Sequence, residues 1–150
     1  MNEILLPLTT ILFGTEQEVV FCDYKEFSEI NDYKACEFSL GDKRIIYREA
    51  KITPKKVGLF VAIWKRNALG VTQPYEETDC FDYIVIKVEE NGKKGLFVFS
   101  KEKLVKLEMI NTMLKEGKRG VRVYPSWVLP QNKQALATQK KQISSFYILK

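Results

Sequence analysis

Apolar and polar residues alternate along the middle of the chain, which is the pattern of half-buried β-strands. In residues 43–52 the alternation separates two faces, one with Arg44, Ile46, Arg48 and Ala50 and the other with Ile45, Tyr47, Glu49 and Lys51. After a turn at "TPKK", residues 57–66 place on a core face Val57, Leu59, Val61 and Ile63, and on the opposite face Phe60, Ala62, Trp64 and Arg66. The pattern therefore predicts a pair of strands over residues 44–66.

A β-hairpin is predicted over residues 81–101, because Asn91-Gly92 separates two alternating runs and is the strongest short-range hairpin signal. A two-residue turn at this dipeptide fixes the register of the two strands. The register pairs Ile86 with Phe97, Ile84 with Phe99, and Asp82 with Lys101. A carboxylate and an ammonium group are therefore expected to meet at the open end of the hairpin.

Helical spacing predicts the remaining elements. Helices are expected over Asn2–Phe13, over residues 101–117 with Gly117 at the C-terminal end, and over residues 132–149. A strand over residues 119–127 ends near a proline, and residues 15–42 read as mixed loop. The order of elements predicts one α/β (α+β) domain, with a central mixed, mainly antiparallel sheet flanked by helices.

Composition narrows the class of protein. The chain has 150 residues and 45% hydrophobic content, enough for one sizeable core. It has no apolar run of the roughly 18 residues that span a bilayer, and Glu3 stands where a signal peptide would be positive, so a cytoplasmic protein without membrane contact is expected. Cys22, Cys36 and Cys80 form no C-x-x-C motif and are expected to be small buried hydrophobes rather than disulfides or zinc ligands.

The chain contains no histidine. This excludes the usual general base, the usual zinc ligand and every nucleophile that depends on histidine. Any catalysis must then use carboxylates, lysines or a hard metal ion, so Mg²⁺-assisted phosphodiester cleavage is the natural enzymatic candidate.

Charge is segregated along the chain, although the net charge is only +5. Residues 1–40 carry two lysines against eight acidic residues, and residues 91–150 carry thirteen basic residues against three acidic ones. A basic face most often indicates a polyanionic partner, and solvated surface is the alternative reading. The candidate phosphate-binding cations are Arg48, Lys51, Lys55, Lys56, Lys65, Arg66, Lys118, Arg119 and Arg122.

Several segments of the chain resemble the MepB family. They are "AKITPKKVGLFVAIWKR" (50–66), "PYEETDCFDYIVIKV" (74–88), "GLFVFSK" (95–101), "EGKRGVRVYPSW" (116–127) and "ALATQKKQISSFY" (135–147). Together they cover most of residues 43–150, so residues 1–150 are identified as one MepB-like domain with a helix and an acidic variable segment in residues 1–40. The resemblance implies a small bacterial cytoplasmic protein whose family is largely of unassigned function.

The resemblance also implies a restriction-endonuclease-like, or PD-(D/E)xK, fold. In active members of that fold two carboxylates hold Mg²⁺ and a lysine helps to activate water. Asp82 and Lys101 match the first and last positions of the motif, but Phe99 stands where the second acid is expected. A displaced acid, with Asp79 favoured over Glu77 and Glu49, could complete the metal site. Gln139 and Gln142 match, loosely, a substrate-contacting glutamine on the following helix.

Three functions remain open from the sequence. The leading prediction is a nucleic-acid-binding protein without sequence specificity, with DNA favoured over RNA, on a degenerate nuclease-like fold. The second is a Mg²⁺-dependent nuclease that uses Asp82, Lys101 and Asp79, with Asp82 and Asp79 as metal ligands. The third is a regulatory module whose acidic residues 1–40 bind a basic partner or shield the protein's own basic face. The sequence does not define an oligomeric state.

Overall fold

The computed structural model describes residues 2–150, with the side chains of residues 30 and 31 excepted. The helices are α1 (Asn2–Phe13), α2 (Lys101–Lys106) and α3 (Lys133–Gln142), with 3-10 turns at Ser28–Tyr33 and Ile143–Ser145. The strands are β1 (Phe21–Glu26), β2 (Cys36–Leu40), β3 (Lys43–Glu49), β4 (Lys51–Thr53), β5 (Lys56–Ala62), β6 (Trp64–Arg66), β7 (Thr72–Pro74), β8 (Tyr83–Glu90), β9 (Lys93–Ser100), β10 (Gly120–Val123) and β11 (Phe146–Leu149).

Six strands form the central sheet in the order β1-β2-β3-β8-β9-β11. Every neighbouring pair is antiparallel except β3 and β8, which run parallel. Because parallel neighbours need a long crossover connection, residues 50–82 leave the central sheet and return to it. The predicted α+β class with a mixed, mainly antiparallel sheet is confirmed.

The crossover contributes strands to two small sheets, and β10, which follows α2 in the chain, joins one of them. One has the strand order β10-β5-β4, and the other pairs β6 with β7. The prediction of one strand pair over residues 44–66 is therefore wrong in its pairing: β3 joins the central sheet, and β5 pairs with β4 and β10 instead. The alternation itself was correct, since Ile46 and Ile45 pack into different cores on opposite faces of β3.

Two hydrophobic cores lie on the two faces of the central sheet. On one face, Ile84, Ile86 and Phe97 pack with Leu59 and Val121 of the small sheet and with the segment that follows α2. On the other face, α1 covers the sheet with Ile4 and Leu8, which are fully buried. Burial of side chains of this size stabilises the fold by about 1.5–3 kcal/mol each.

The β8–β9 hairpin has the register that the sequence predicts. Ile86 lies opposite Phe97 and Ile84 opposite Phe99. Asn91 and Gly92 have φ angles of 52° and 79°, the positive values that a two-residue turn with this dipeptide needs. The Asn91-Gly92 turn thus sets the register of β8 and β9, two inner strands of the central sheet.

The acidic segment predicted as loop contains two strands and a 3-10 turn. β1 pairs with β2, and β2 pairs with β3 over five residues. β1 is exposed along its whole length, so its sequence lacks the alternation that a half-buried strand shows. Residues 1–40 are therefore part of the domain and supply the edge strand β1 and its neighbour β2 to the central sheet.

The last predicted helix is too long at its C-terminal end. α3 ends at Gln142, and the residues from Phe146 form β11 against the free edge of β9. Phe146 packs over Gly95, where a Cβ atom would lie 2.4 Å from its ring. Pairing with an open sheet edge outweighs the weak helix propensity of this aromatic and β-branched stretch.

The helix predicted over residues 101–117 is also too long, because α2 ends at Lys106. Glu108 has φ 58°, which turns the chain so that Met109 and Ile110 enter the core beneath the small sheet. Gly117 is not a helix end. A Cβ atom there would lie 2.4 Å from the backbone of Ile110, so glycine is required by the close approach of two chain segments.

The cysteines were predicted to be buried, and this is correct for Cys36 alone. Cys22 and Cys80 are exposed, and all three are free thiols. None of the helices in residues 2–150 is long and apolar enough to cross a membrane.

An ion-pair cluster fixes the start of α1 to the central sheet. Glu3 accepts hydrogen bonds from the ammonium groups of Lys87 on β8 and Lys94 on β9. These bonds lower the pKa of Glu3 from its ordinary value of 4.5 to about 2. Lys87 is 9% exposed, so loss of the carboxylate would leave a nearly buried cation with weaker pairing.

We expect Glu3→Gln to lower the free energy of unfolding at pH 7 by up to about 1 kcal/mol, since Glu3 itself is half exposed. A depressed carboxyl pKa contributes stability that is complete above pH 4.5 and is lost as the pH falls through about 2. The difference from the wild type should therefore shrink on acidification in urea unfolding experiments. Glu16→Gln, at an exposed position, is the control, and a constant difference from pH 2.5 to pH 7 would contradict the ion-pair account.

Candidate functional site

The nine cations predicted to form one basic surface lie in separate places. Four of them line a cleft between the β4–β5 turn, β10 and α3, and three line a cavity on the other side of the crossover. The remaining two are Lys51 and Arg119, which line neither. We name the two sites the basic cleft and the Arg48 cavity.

The basic cleft has a volume of about 540 Å³. Its cations are Lys55, Lys56, Lys118, Arg122 and Lys141. Lys55 lies in the turn between β4 and β5, and Lys56 begins β5. Lys118 precedes β10, Arg122 lies on β10, and Lys141 lies on the last turn of α3. Lys141 was not among the nine predicted cations.

Backbone geometry holds Arg122 at the floor of the cleft. Its guanidinium donates to the carbonyl oxygens of Val57 and Gly58, both at 3.3 Å. Gly58 has φ 81°, and a Cβ atom there would lie 2.8 Å from the ring of Tyr124. The glycine therefore lets β5 approach β10 closely, and the approach orients Arg122.

The cleft has a marked excess of positive charge. Glu108 is its single acidic lining residue, and it already bonds Lys115 at 2.5 Å. Lys115, with smaller effects from Lys141 and Lys118, lowers the pKa of Glu108, so this carboxyl stays ionised. In the described part of the chain no carboxylate lies within salt-bridge distance of the five cleft cations. The cleft can therefore accept anionic groups without first breaking an ion pair.

The two glutamines predicted to touch substrate have structural partners. Gln142 is 4% exposed, and its side chain accepts from the Tyr124 N–H and donates to the Arg122 carbonyl, both at 3.0 Å. Gln139 donates to the carbonyls of Pro125 and Val128, both at 2.9 Å. Both residues thus fasten α3 to the end of β10, although Gln142 also lines the cleft.

Arg48 is fully buried, so it is not part of an exposed basic surface. Its guanidinium donates to the Tyr47 carbonyl at 2.9 Å and to the Tyr75 hydroxyl at 3.2 Å, and it lies 5.5 Å from the ring centre of Phe27. Its Nε has no acceptor. No pattern in the sequence indicates this environment, because Tyr75 and Phe27 belong to segments that are distant from β3 along the chain.

Other predicted cations are engaged in ion pairs with the acidic segments. Lys65 binds both oxygens of Asp79 at 2.7 Å. Arg66 bonds Glu29 at 2.6 Å and lies over the ring of Trp64, 5.2 Å from its centre. Lys51 lies 3.9 Å from Asp32, and Arg119 lies 3.5 Å from Glu116. These residues are less available to a polyanion than the cleft lysines are.

Asp82 and Lys101 are neighbours in the backbone register but do not form the predicted contact between side chains. The Asp82 carboxylate accepts from the Arg44 N–H at 2.8 Å, and the Lys101 N–H donates to the Asp82 carbonyl. The Lys101 ammonium instead bonds the Asp79 carbonyl and lies 4.5 Å from the ring centre of Phe81. The turn before β8 thus draws the ammonium away from the carboxylate.

The predicted metal ligands do not converge. Asp79 is bound by Lys65 and accepts from the Glu76 N–H at 2.8 Å, while Asp82 is used by the backbone of β3. Of the alternative acids, Glu49 bonds the Tyr47 hydroxyl at 2.7 Å. Across residues 2–150 no group of three histidine, cysteine or acidic side chains is placed to hold a metal ion. This donor set does not fit the hard-cation site that Mg²⁺ requires.

Fold and cleft together define a single-domain α+β protein with a localised basic site. A family model described as MepB-like matches residues 28–148. The chain is similar to the solved "Crystal Structure of MepB", with 35% identity, a TM-score of 0.82 and coverage of 95% of this chain and 94% of the other. The chain therefore belongs to the MepB-like family.

A second solved structure has a weaker likeness. "The structure of a bacterial homing endonuclease: I-Ssp6803I" aligns with 92% of this chain and 83% of its own, at 13% identity and a TM-score of 0.47. This value is too low to carry an argument about function. No curated protein matches the chain.

We expect Gln142→Ala to lower the free energy of unfolding by about 1–3 kcal/mol, because it leaves two buried backbone groups of the β10 end without partners. Urea unfolding followed by tryptophan fluorescence measures the change. Gln134→Ala, at an exposed position on the same helix, is the matched control and should change stability by less than about 0.5 kcal/mol. Equal effects of the two substitutions would contradict a structural role for Gln142.

Proposed function

We propose that the protein binds nucleic acid through the phosphate backbone, in the basic cleft. The observation that carries the proposal is the convergence on one concave surface of five cations that no carboxylate of the described residues pairs with. Neutralisation of phosphates by lysine and arginine releases condensed counterions, which is the main driving force of sequence-independent binding.

The types of side chain in the cleft favour binding without sequence specificity. Four of the five cations are lysines, which act as point charges toward phosphate oxygens. Arg122 is fixed by one guanidinium nitrogen, Nη1, which donates to two backbone carbonyls, and its Nε and Nη2 groups remain for phosphate oxygens. Contacts of this kind position a strand but carry no information about its bases.

The acidic segment supports the cleft, rather than the strands over residues 44–66, as the phosphate-binding surface. Within the described chain, Glu29, Asp32 and Glu37 pair with Arg66, Lys51 and Arg44. The first 40 residues therefore neutralise part of the basic strand region inside the molecule. They contribute no lining residue to the cleft, whose positive charge stays available to a partner.

A variant with Lys55→Ala, Lys56→Ala and Lys118→Ala tests the proposal, because all three side chains are exposed and belong to the cleft. Fluorescence anisotropy with labelled single- and double-stranded oligonucleotides measures affinity across salt concentrations. If all five cations contact phosphate, the wild-type slope of log K against log salt is about −3.5 for a single strand and −4.5 for a duplex. The variant should lose about 2 units of slope and about a hundredfold in single-strand affinity at 0.1 M salt.

The matched control replaces three exposed lysines outside the cleft, Lys93, Lys106 and Lys150, with alanine and has the same net charge as the cleft variant. It should bind within a few fold of the wild type. Equal losses in both variants would show that net charge, rather than the cleft, governs binding. Absence of wild-type binding at low salt would overturn the proposal.

The Mg²⁺-dependent nuclease remains a separate prediction, and its test is cleavage of the same oligonucleotides with and without Mg²⁺. Under the nuclease hypothesis Asp82→Ala abolishes cleavage while binding persists. Cleavage that survives this substitution would exclude the predicted catalytic site. Since the Asp82 carboxylate accepts from a β3 N–H, circular dichroism must show that the variant is folded.

A further inference from the structure

The Arg48 cavity is a second concave site, separate from the basic cleft, with a volume of about 520 Å³. Its walls come from the segment after β1, from β3 and β6, and from the loop before β8. Small-molecule sites in proteins have volumes of about 300–1,000 Å³ and combine apolar walls with few oriented polar groups. The cavity shares these features, and none of its lining residues also lines the basic cleft.

The Arg48 guanidinium is an incompletely paired buried charge at this cavity. It is fully buried, its Nε has no acceptor, and no carboxylate in the described chain lies within salt-bridge distance. Its two bonds go to a neutral carbonyl and a neutral hydroxyl. Buried charges in proteins are normally paired, because removal of an ion from water costs several kcal/mol. An anion in the cavity would supply the missing partner.

The acidic side chains around the cavity are already committed elsewhere. Asp79 pairs with Lys65, and Glu29 pairs with Arg66. Each pair neutralises one acidic and one basic side chain of the cavity lining. Glu37 bonds Arg44 at 3.0 Å, and Glu26 accepts from the Tyr24 hydroxyl at 2.9 Å. In the described chain, the charged groups of the lining without an ionic partner are Glu26, the Lys25 ammonium and the Arg48 guanidinium. Of these, only the guanidinium has the fork geometry that forms bidentate bonds with phosphate or carboxylate.

The cavity walls indicate which chemical group is attached to the anion. Phe27, Trp64, Tyr75 and Phe81 line the cavity, and the rings of Tyr75 and Phe81 meet edge to face with centres 5.7 Å apart. Aromatic side chains give a planar ligand ring a large contact area and a preferred stacking geometry. Phe27 also holds the Arg48 guanidinium near its ring, so an anion at Arg48 would lie beside the aromatic walls.

We propose that the Arg48 cavity binds a nucleoside monophosphate group, with its phosphate on Arg48 and its base against the aromatic walls. Such a group occurs as a free nucleotide or as the 5′-phosphorylated end of a nucleic-acid strand. The proposal does not depend on the function assigned to the basic cleft, because the free nucleotide needs no contact with the cleft.

The test is isothermal titration calorimetry with adenosine monophosphate, adenosine and inorganic phosphate, together with short oligonucleotides that carry a 5′-phosphate or a 5′-hydroxyl. Adenosine monophosphate should bind at least about tenfold more tightly than either fragment, because it engages both the cation and the rings. Arg48→Met should weaken that binding at least about tenfold. Binding of adenosine monophosphate would identify the free nucleotide as the ligand. A preference for the 5′-phosphorylated oligonucleotide, with no binding of adenosine monophosphate, would identify the strand end as the ligand.

Two further variants keep the proposal falsifiable if Arg48→Met fails to fold. Ser28→Trp places a large ring at an exposed position of the cavity lining and should block the ligand while it leaves Arg48 intact. The cleft variant at Lys55, Lys56 and Lys118 should bind adenosine monophosphate as the wild type does. Equal binding of the nucleotide by the wild type and Ser28→Trp, or no Arg48-dependent binding of nucleotide or 5′-phosphate, would overturn the proposal.

Discussion

The parallel pairing of β3 with β8 determines where every candidate site of this protein can lie. Parallel neighbours cannot be joined by a hairpin, so residues 50–82 cross one face of the central sheet before the chain returns. This crossover is built of short strands instead of a helix, and its small sheet packs on the larger core. The β4–β5 turn and the first residue of β5 contribute Lys55 and Lys56 to the basic cleft. The later part of the crossover supplies Tyr75 to the Arg48 cavity. Both sites are thus products of one topological requirement.

Charge pairing then separates the two sites by chemistry. Acidic residues of the N-terminal segment and of the turn before β8 neutralise Arg66, Lys51 and Lys65 within the molecule. Among the cations that have no carboxylate partner in the described chain are the five of the cleft and the buried guanidinium of Arg48. Exposed cations on a concave surface suit a long polyanion that sheds counterions. A buried guanidinium among aromatic rings suits one compact anion instead. The basic residues of the sequence are therefore divided between the two proposed binding sites.

Sequence patterns correctly predicted the elements that are determined by residues close together in the chain. The Asn91-Gly92 turn and the alternation on both sides of it specify the β8–β9 register without help from the rest of the chain. Elements that depend on distant partners were predicted wrongly. β11 forms because β9 offers a free edge, and α2 ends early because Met109 and Ile110 are drawn into the core. The burial of Arg48 likewise depends on Tyr75 and Phe27, and no spacing in the sequence indicates that these three residues meet. Four of the five cleft cations were among the predicted set, but their grouping required the tertiary structure.

The central claim is that phosphate is bound in the basic cleft, and chemical-shift mapping tests it most directly. Uniformly ¹⁵N-labelled protein is titrated with a short single-stranded oligonucleotide lacking a 5′-phosphate, and backbone amide shifts are followed residue by residue. The account predicts that the largest changes fall around Lys55, Lys56, Lys118, Arg122 and Lys141 and diminish as salt is raised. Changes confined to β3 and β6, with the cleft amides unaffected, would contradict it.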